Sequence, residues 1–233
     1  MKSNLILCFL FFSFWLTSYS QVIPIHKISE KVSIDGDLSE WEMSFLGPFV
    51  IHNSGAKATQ QTFVSFSWDE KNLYIAYRSE DSKIIGSNQG QDSHIYKTDD
   101  LVEVFIDPDG DGQNYVEIGV NAFSTNYDLL IECISANCGG WKTSTAFTVI
   151  GMETVSKINS EGFSTEIKIP FSSLESIKNG NFIIPKIGTK WKGNAFRIDY
   201  GMKTTEYLSL QPYRSSKFGF HQPKEFADFE FVD

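Results

Sequence analysis

The sequence predicts an all-β domain in which two antiparallel sheets pack as a β-sandwich. Three observations carry this expectation. Segments of about four to nine residues, rich in β-branched and aromatic types, recur along residues 21–233. Gly, Asn, Asp and Pro punctuate them as turn signals. A helical period of 3.6 is missing except for a short turn at residues 38–43, so alternating βα units are not expected. No Pro- or Ser-rich linker or repeat divides the stretch, and a single sandwich of about 210 residues is an ordinary size.

Taken in order, residues 1–20 stand apart. Met1-Lys2-Ser3-Asn4 gives a positively charged start, and residues 5–16 read LILCFLFFSFWL with only Ser13 polar. A bilayer-spanning helix takes about 20 apolar residues, so this run is too short for a transmembrane anchor. Ser18 and Ser20 have the spacing a signal peptidase reads, which places cleavage between Ser20 and Gln21. The protein is therefore expected to be exported, whether periplasmic, cell-surface or secreted. Beyond the turn at 38–43, strands are expected at 62–68, 72–79, 101–106, 115–122, 128–133, 146–150, 163–169, 195–201 and 228–232. The formal charge of −9 argues against nucleic acid as a partner.

Alternation assigns faces within the hairpin at 101–122. Val102, Val104 and Ile106, with Val116, Ile118, Val120 and Ala122, form aliphatic sets that must face the core. Glu103, Glu117, Gly119 and Asn121 share the opposite face with flanking aromatics. The connection DPDGDGQN, residues 107–114, is a Gly-rich hairpin loop. Centred near Gly110, it would set Glu103 opposite Glu117. Like charges directly across a ladder are unfavourable, and persist where a cation, a ligand hydroxyl or water separates them.

Asp107, Asp109 and Asp111 offer hard oxygen ligands at alternate positions, as a Ca2+ loop requires. A full EF-hand loop would place a Glu twelfth. Ile118 stands there, and Glu117 comes one position early. A calcium loop and a solvated turn both remain open. Asp99, Asp100 and Glu103 also admit an enzymatic reading. Glycosidic cleavage, however, needs two carboxyls about 5–5.5 or 6.5–9.5 Å apart across a cleft. No such cleft is specified, and no catalytic residue is assigned.

Loss of the leader removes Cys8 and leaves Cys133 and Cys138, in ECISANCGGW. In an oxidising compartment a local disulfide is expected. Trp41, Trp68 and Trp191 sit within strand-like motifs and are expected in the core. Trp141 follows Gly139-Gly140 in polar company, so it is either a ring presented to a ligand or a loop anchor. His26, His52, His94 and His221 are scattered without metal-ligand spacing. With Met43, Met152 and Met202 they form no distinguishing haem motif, and haem is not expected.

Five motifs in order over residues 34–231 resemble the family 9 carbohydrate-binding modules and their DOMON-like relatives. They are IDGDLSEW at 34–41, FSWDEKNLYIAYRSED at 66–81, TDDLVEVFIDPDGDGQNYVEIGVNA at 98–122, EGFSTEIKIPFSSL at 161–174, and KWKGNAFRIDYG with FHQPKEFADFEF at the end. The resemblance implies a two-sheet sandwich that binds sugars, often beside xylan- and glucan-degrading enzymes, with calcium in some members. It implies a terminal sugar held between two Trp rings, with carboxylate, amide and guanidinium groups reading its hydroxyls. Glu103 matches the family's carboxylate and Asn121 a polar strand position. Lys97, with Tyr96 beside it, stands where one Trp is implied, Leu210 where the second is, and Gly119 where the Arg is. The expected function is therefore an exported, non-catalytic carbohydrate-binding protein for xylan- or glucan-class glycans, with ligand contacts from Tyr96, Glu103, Glu117, Asn121 and Trp141. A glycoside hydrolase-associated or weakly catalytic enzyme and a haem-binding DOMON-like module are the alternatives.

Overall fold

The computed structural model describes residues 21–41, 45–135, 138–177, 182, 184–213 and 219–233. The leader expected at 1–20, with Cys8, lies outside these residues, as does Met43 at the end of the expected turn. Among the described residues the strands are β1 (Val22–Lys27), β2 (Val50–Ile51), β3 (Thr62–Trp68), β4 (Asn72–Glu80), β5 (Leu101–Asp107), β6 (Asn114–Asn121) and β7 (Asn126–Cys133). They continue with β8 (Trp141–Ser144), β9 (Glu153–Ile158), β10 (Gly162–Pro170), β11 (Lys190–Asp199), β12 (Glu206–Ser209) and β13 (Ala227–Val232).

All of them join one hydrogen-bonded path, β8-β7-β6-β5-β11-β13-β1-β3-β4-β10-β9, with β12 on β11 and β2 on β12. The path curls, so its two arms face each other as the layers of a sandwich, with β13 and β1 as the joint. Pairings are antiparallel except at β1, which runs parallel to both β13 and β3. The interior is where alternation put it. Val102, Val104, Ile106, Val116, Ile118 and Val120 pack in one cluster with Val64, Phe66, Ile75, Ile167 and Phe229 from the opposite arm and the joint. The β6–β7 turn also reaches the far end of the path. The Ser156 amide donates to Ser124 Oγ at 2.8 Å, and Asn126 Nδ2 to Thr154 Oγ1 at 2.8 Å.

Trp41, Trp68 and Trp191 are buried, as expected. Trp41 Nε1 donates to Glu166 Oε1 at 2.6 Å, and Glu166 Oε2 accepts the Asp35 and Gly36 amides. The N-terminal segment is thereby bonded to β10 across more than a hundred residues.

The expected strand at 146–150 is not formed. Val149 is instead a buried anchor in the core, its amide bonded to the Asp128 carboxylate. Sequence reading also passed over β1, β2, β8, β9 and β12, which are short, partly exposed or interrupted by Pro24. The turn at 38–43 is a 3-10 turn at Leu38–Glu40, with Asp37 accepting the Ser39 amide.

Among the described residues a buried ionic cluster lies between the layers. Arg197 on β11 is fully buried and bonds Asp81 Oδ2 at 2.9 Å and Asp199 Oδ2 at 3.2 Å. It also donates to Thr62 Oγ1 and to the Glu80 carbonyl, which ties β11 to β3 and β4. Removing one partner of such a set strands the others without compensation. Arg197→Met is accordingly expected to lower unfolding free energy by about 3–5 kcal/mol. Urea melts of the two proteins check this, and a loss under about 1 kcal/mol would show that the guanidinium is not holding the layers.

Candidate functional site

The hairpin register decides what meets at its outer face. Glu103 pairs with Gly119, and Phe105 with Glu117, so the two glutamates are diagonal neighbours and not directly opposed as expected. The loop explains the shift. Gly110 and Gly112 both adopt positive φ, at 68° and 71°, and Asp107 accepts both their amides at 2.9 Å. The turn is thereby centred one residue later than Gly110.

That outer face is not solvated. Leu101, Phe105, Tyr115, Tyr127, Phe196 and Ile198 belong to a second apolar cluster on the outside of β5, β6, β7 and β11. The Ile95–Lys97 turn, the chain around β12 and residues 219–221 stand around this face and leave a cleft of about 1160 Å³. Glu103 and Glu117 lie on its floor, only 2% and 6% exposed. Both reach the Tyr127 hydroxyl, Glu117 Oε1 at 2.9 Å and Glu103 Oε1 in a shorter contact. Burial raises both carboxyls well above the usual carboxylate range, and the Glu117 charge pushes Glu103 further. Glu103 Oε2 is buried and has no partner.

Gly119 is required here. A Cβ at that position would come within 2.3 Å of the Tyr127 ring, which occupies the space above the glycine. The place where the family resemblance implies an arginine is therefore filled by a tyrosine from the neighbouring strand.

Trp141 opens β8 opposite Cys133, and Cys133 is bridged to Cys138. The disulfide closes the loop that delivers the indole to the cleft. Trp141 is half-buried and stacks on His221, centroids 4.2 Å apart at 26°, so it is both an anchored ring and a lining one. His221 Nε2 lies 3.8 Å from Glu117 Oε2. Burial nevertheless pushes that imidazole down to about 4, so the contact is not an ion pair at neutral pH. Tyr96 also lines the cleft, its ring 5.5 Å from that of Tyr127, with Lys97 at the rim above it.

Asn121 is placed elsewhere. Its Nδ2 donates to the Ser87 carbonyl and to Asp99 Oδ2, and its Oδ1 accepts the Phe123 and Thr125 amides. Its hydrogen-bonding capacity is consumed by the β6–β7 turn and by Ser87 and Asp99, away from the cleft lining. Asp99 and Asp100 are likewise engaged, Asp100 by the amides of Ile85, Tyr200 and Gly201. Leu210 packs against the interior core. Tyr200, Tyr207 and His221 line the cleft but were not found from sequence, because each arrives from a segment remote from the hairpin.

Asp107, Asp109 and Asp111 bring carboxylate oxygens within 4.8 Å of one another. Burial raises Asp107 to about 7, with Asp109 adding to it. Hard oxygens of this kind are the donors Ca2+ takes, with Asp109 and Asp111 the more exposed of the three and both Asp107 oxygens already accepting the Gly110 and Gly112 amides. Asp81, Asp100 and Asp199 form a second such group, but Arg197 and backbone amides already engage them.

Comparison with known proteins agrees with this architecture. A model of the carbohydrate family 9 binding domain-like family matches residues 46–194. Endo-1,4-beta-xylanase A of Thermoanaerobacterium saccharolyticum is 29% identical over 136 residues, 58% of this chain. The chain spans about a tenth of that relative's length. Among solved structures, a candidate carbohydrate-binding protein from Bacteroides uniformis superposes with a TM-score of 0.72 at 16% identity, covering 91% of this chain and 100% of that one. A family 9 carbohydrate-binding module from Caldicellulosiruptor kristjanssonii in complex with glucose gives 0.63 at 14% identity, covering 91% and 95%. The family match spans well over half of the sequence, and the chain belongs to the carbohydrate family 9 binding domain-like family.

Proposed function

We propose that this protein is an exported, non-catalytic carbohydrate-binding module whose ligand, a β-linked oligosaccharide of the xylan or glucan class, occupies the cleft over Glu103 and Glu117. The observation that carries this reading is the composition of the cleft, in which aromatic rings from Trp141, Tyr96 and Tyr207 surround a buried pair of carboxyls. Pyranose rings present an apolar face that packs on π-surfaces, and their hydroxyls donate to carboxylates. Family membership, and a relative that is a xylanase, support the ligand class and a role beside glycan-degrading enzymes. Export rests on the leader at 1–20 and agrees with the disulfide. Among the described residues no helix is long and apolar enough to cross a membrane.

Against catalysis stands the placement of the carboxyls. A glycosidase sets its two acids on either side of the scissile bond. Glu103 and Glu117 lie side by side on one sheet, with the Tyr127 hydroxyl between them.

Trp141→Ala is expected to weaken retention on xylan or glucan about tenfold, the loss of one stacked ring. Affinity electrophoresis measures this, with a thermal melt confirming the fold. Equal retention of variant and wild type, or none on any glycan, would sink the reading.

Calcium on the hairpin belongs to the same proposal, held by Asp107, Asp109 and Asp111, where it would screen their mutual repulsion. Adding Ca2+ to chelator-treated protein should raise the melting temperature by several degrees, since binding to the native state alone stabilises it. The doubly substituted Asp109→Asn, Asp111→Asn protein should show no such rise. A rise of the same size in that protein would place calcium elsewhere.

A further inference from the structure

When both glutamates on its floor are ionised, the cleft holds more negative charge than its own surroundings compensate. The Tyr127 hydroxyl has one hydrogen, and a carboxyl oxygen from each glutamate lies within hydrogen-bonding distance of it. One phenolic proton cannot satisfy both. Glu103 Oε2, buried on the floor, has no partner at all.

The groups facing the pair supply no fixed positive charge among the described residues. On the neighbouring strands and loops these are the phenols Tyr115, Tyr127 and Tyr200, and His221, whose Nε2 lies 3.8 Å from Glu117 Oε2 and whose imidazole burial pushes down to about 4; His52, His94 and Glu206 line the same cleft. Lys97 stands at the rim, with its Nζ 5.3 Å from the Tyr96 ring. Arg197 is spent on Asp81 and Asp199. Where the family resemblance implies a guanidinium beside Glu103, Gly119 and the Tyr127 ring exclude any side chain.

Two buried carboxyls without a cation, ringed by aromatic faces, suit a ligand that brings its own positive charge. An ammonium carries three donors and a full charge, and aromatic faces attract it further. Resting on the carbohydrate reading above, we propose that the sugar bound over Glu103 and Glu117 carries a free, protonated amino group, as a glucosamine unit of a β-1,4-linked chain does. Such a chain is a glucan in backbone, with an amine replacing one hydroxyl per ring. It keeps the apolar pyranose face for Trp141 and Tyr96 while placing an ammonium on the floor. A neutral sugar would have to leave the pair sharing a proton.

The raised carboxyls set the sign of the pH dependence. Both carboxyls are raised by burial, so the pair gains its first proton near neutral pH as pH falls, well above the usual carboxylate range. Affinity for a cation of fixed charge would therefore weaken as pH falls, whereas an amino sugar also gains protons over the same range, so its binding is strongest where ammonium and carboxylate coexist.

Titration calorimetry of the disulfide-intact chain with glucosamine tetramer, its N-acetylated counterpart and cellotetraose tests this at pH 7. The glucosamine tetramer should bind at least tenfold tighter than either neutral tetramer. Glu103→Gln and Glu117→Gln, each shape-conserving and checked by thermal melt, should reduce that preference to under about threefold. Two neutral tetramers binding as tightly as the amine overturn this inference and leave the carbohydrate reading standing. A preference for the amine that survives in both Gln variants overturns it as well. Failure of all three tetramers and of a broad glycan array removes the carbohydrate reading and this inference with it.

Discussion

Burial of both faces of one sheet layer is the constraint on which the cleft depends. The inner side of β5, β6 and β11 faces the opposite arm of the curled sheet, and the outer side lies under its own apolar cluster. Whatever polar residues alternation assigns to the outer side must live in an apolar environment. Most positions on that side carry aromatic or aliphatic side chains. Glu103 and Glu117 do not, and their raised pKa values follow from desolvation. A pair so placed costs folding free energy whenever it is ionised. Protonation relieves that cost, and so would a positively charged group entering the cleft above the pair.

Neighbouring acidic residues show how differently the same chemistry can be used. Asp99, Asp100 and Glu103 lie within five positions of one another in sequence. Asp100 joins the start of β5 to Ile85 and Tyr200 through backbone amides, and Asp99 accepts from Asn121 and Thr98. Every oxygen there is occupied by the protein itself. Of the three, Glu103 alone keeps a buried oxygen without a partner, and it alone lines the cleft. Hydrogen-bond occupancy, and not proximity in sequence, separates scaffold carboxylates from those free to meet a ligand.

Much of the fold was legible beforehand because its signals are local. Alternation in 101–106 and 115–120 named the interior residues correctly, since a strand's period of two is a property of the backbone. The family-like motifs were legible for a second reason, which the structure supplies: Trp41 with Glu166, and Asn194 with the 211 backbone, are buried polar pairings that few other residues could make. Short strands such as β8 and β12 were illegible because four residues carry too little period to stand out. The site was only partly legible. Tyr96, Glu103, Glu117 and Trp141 could be named, but Tyr200, Tyr207 and His221 reach the cleft only through the long-range pairing of β11 and β12 and the return of the chain at 219–221. The hairpin register failed by one position because side-chain capture by Asp107 recentred the turn, an interaction that composition does not reveal.

The overlap of Tyr127 with the space above Gly119 reaches beyond this one chain. Residues 119 and 127 are register partners on adjacent strands, and only one of them can project over that patch of sheet. A homologue that carries arginine at 119 must therefore hold a smaller residue, or a differently turned ring, at 127. Substitution at either site alone passes through a clashing or an empty intermediate, so the two positions are expected to have changed as a unit during divergence. The history of ligand choice in the family should then be readable as a covariation between these two columns.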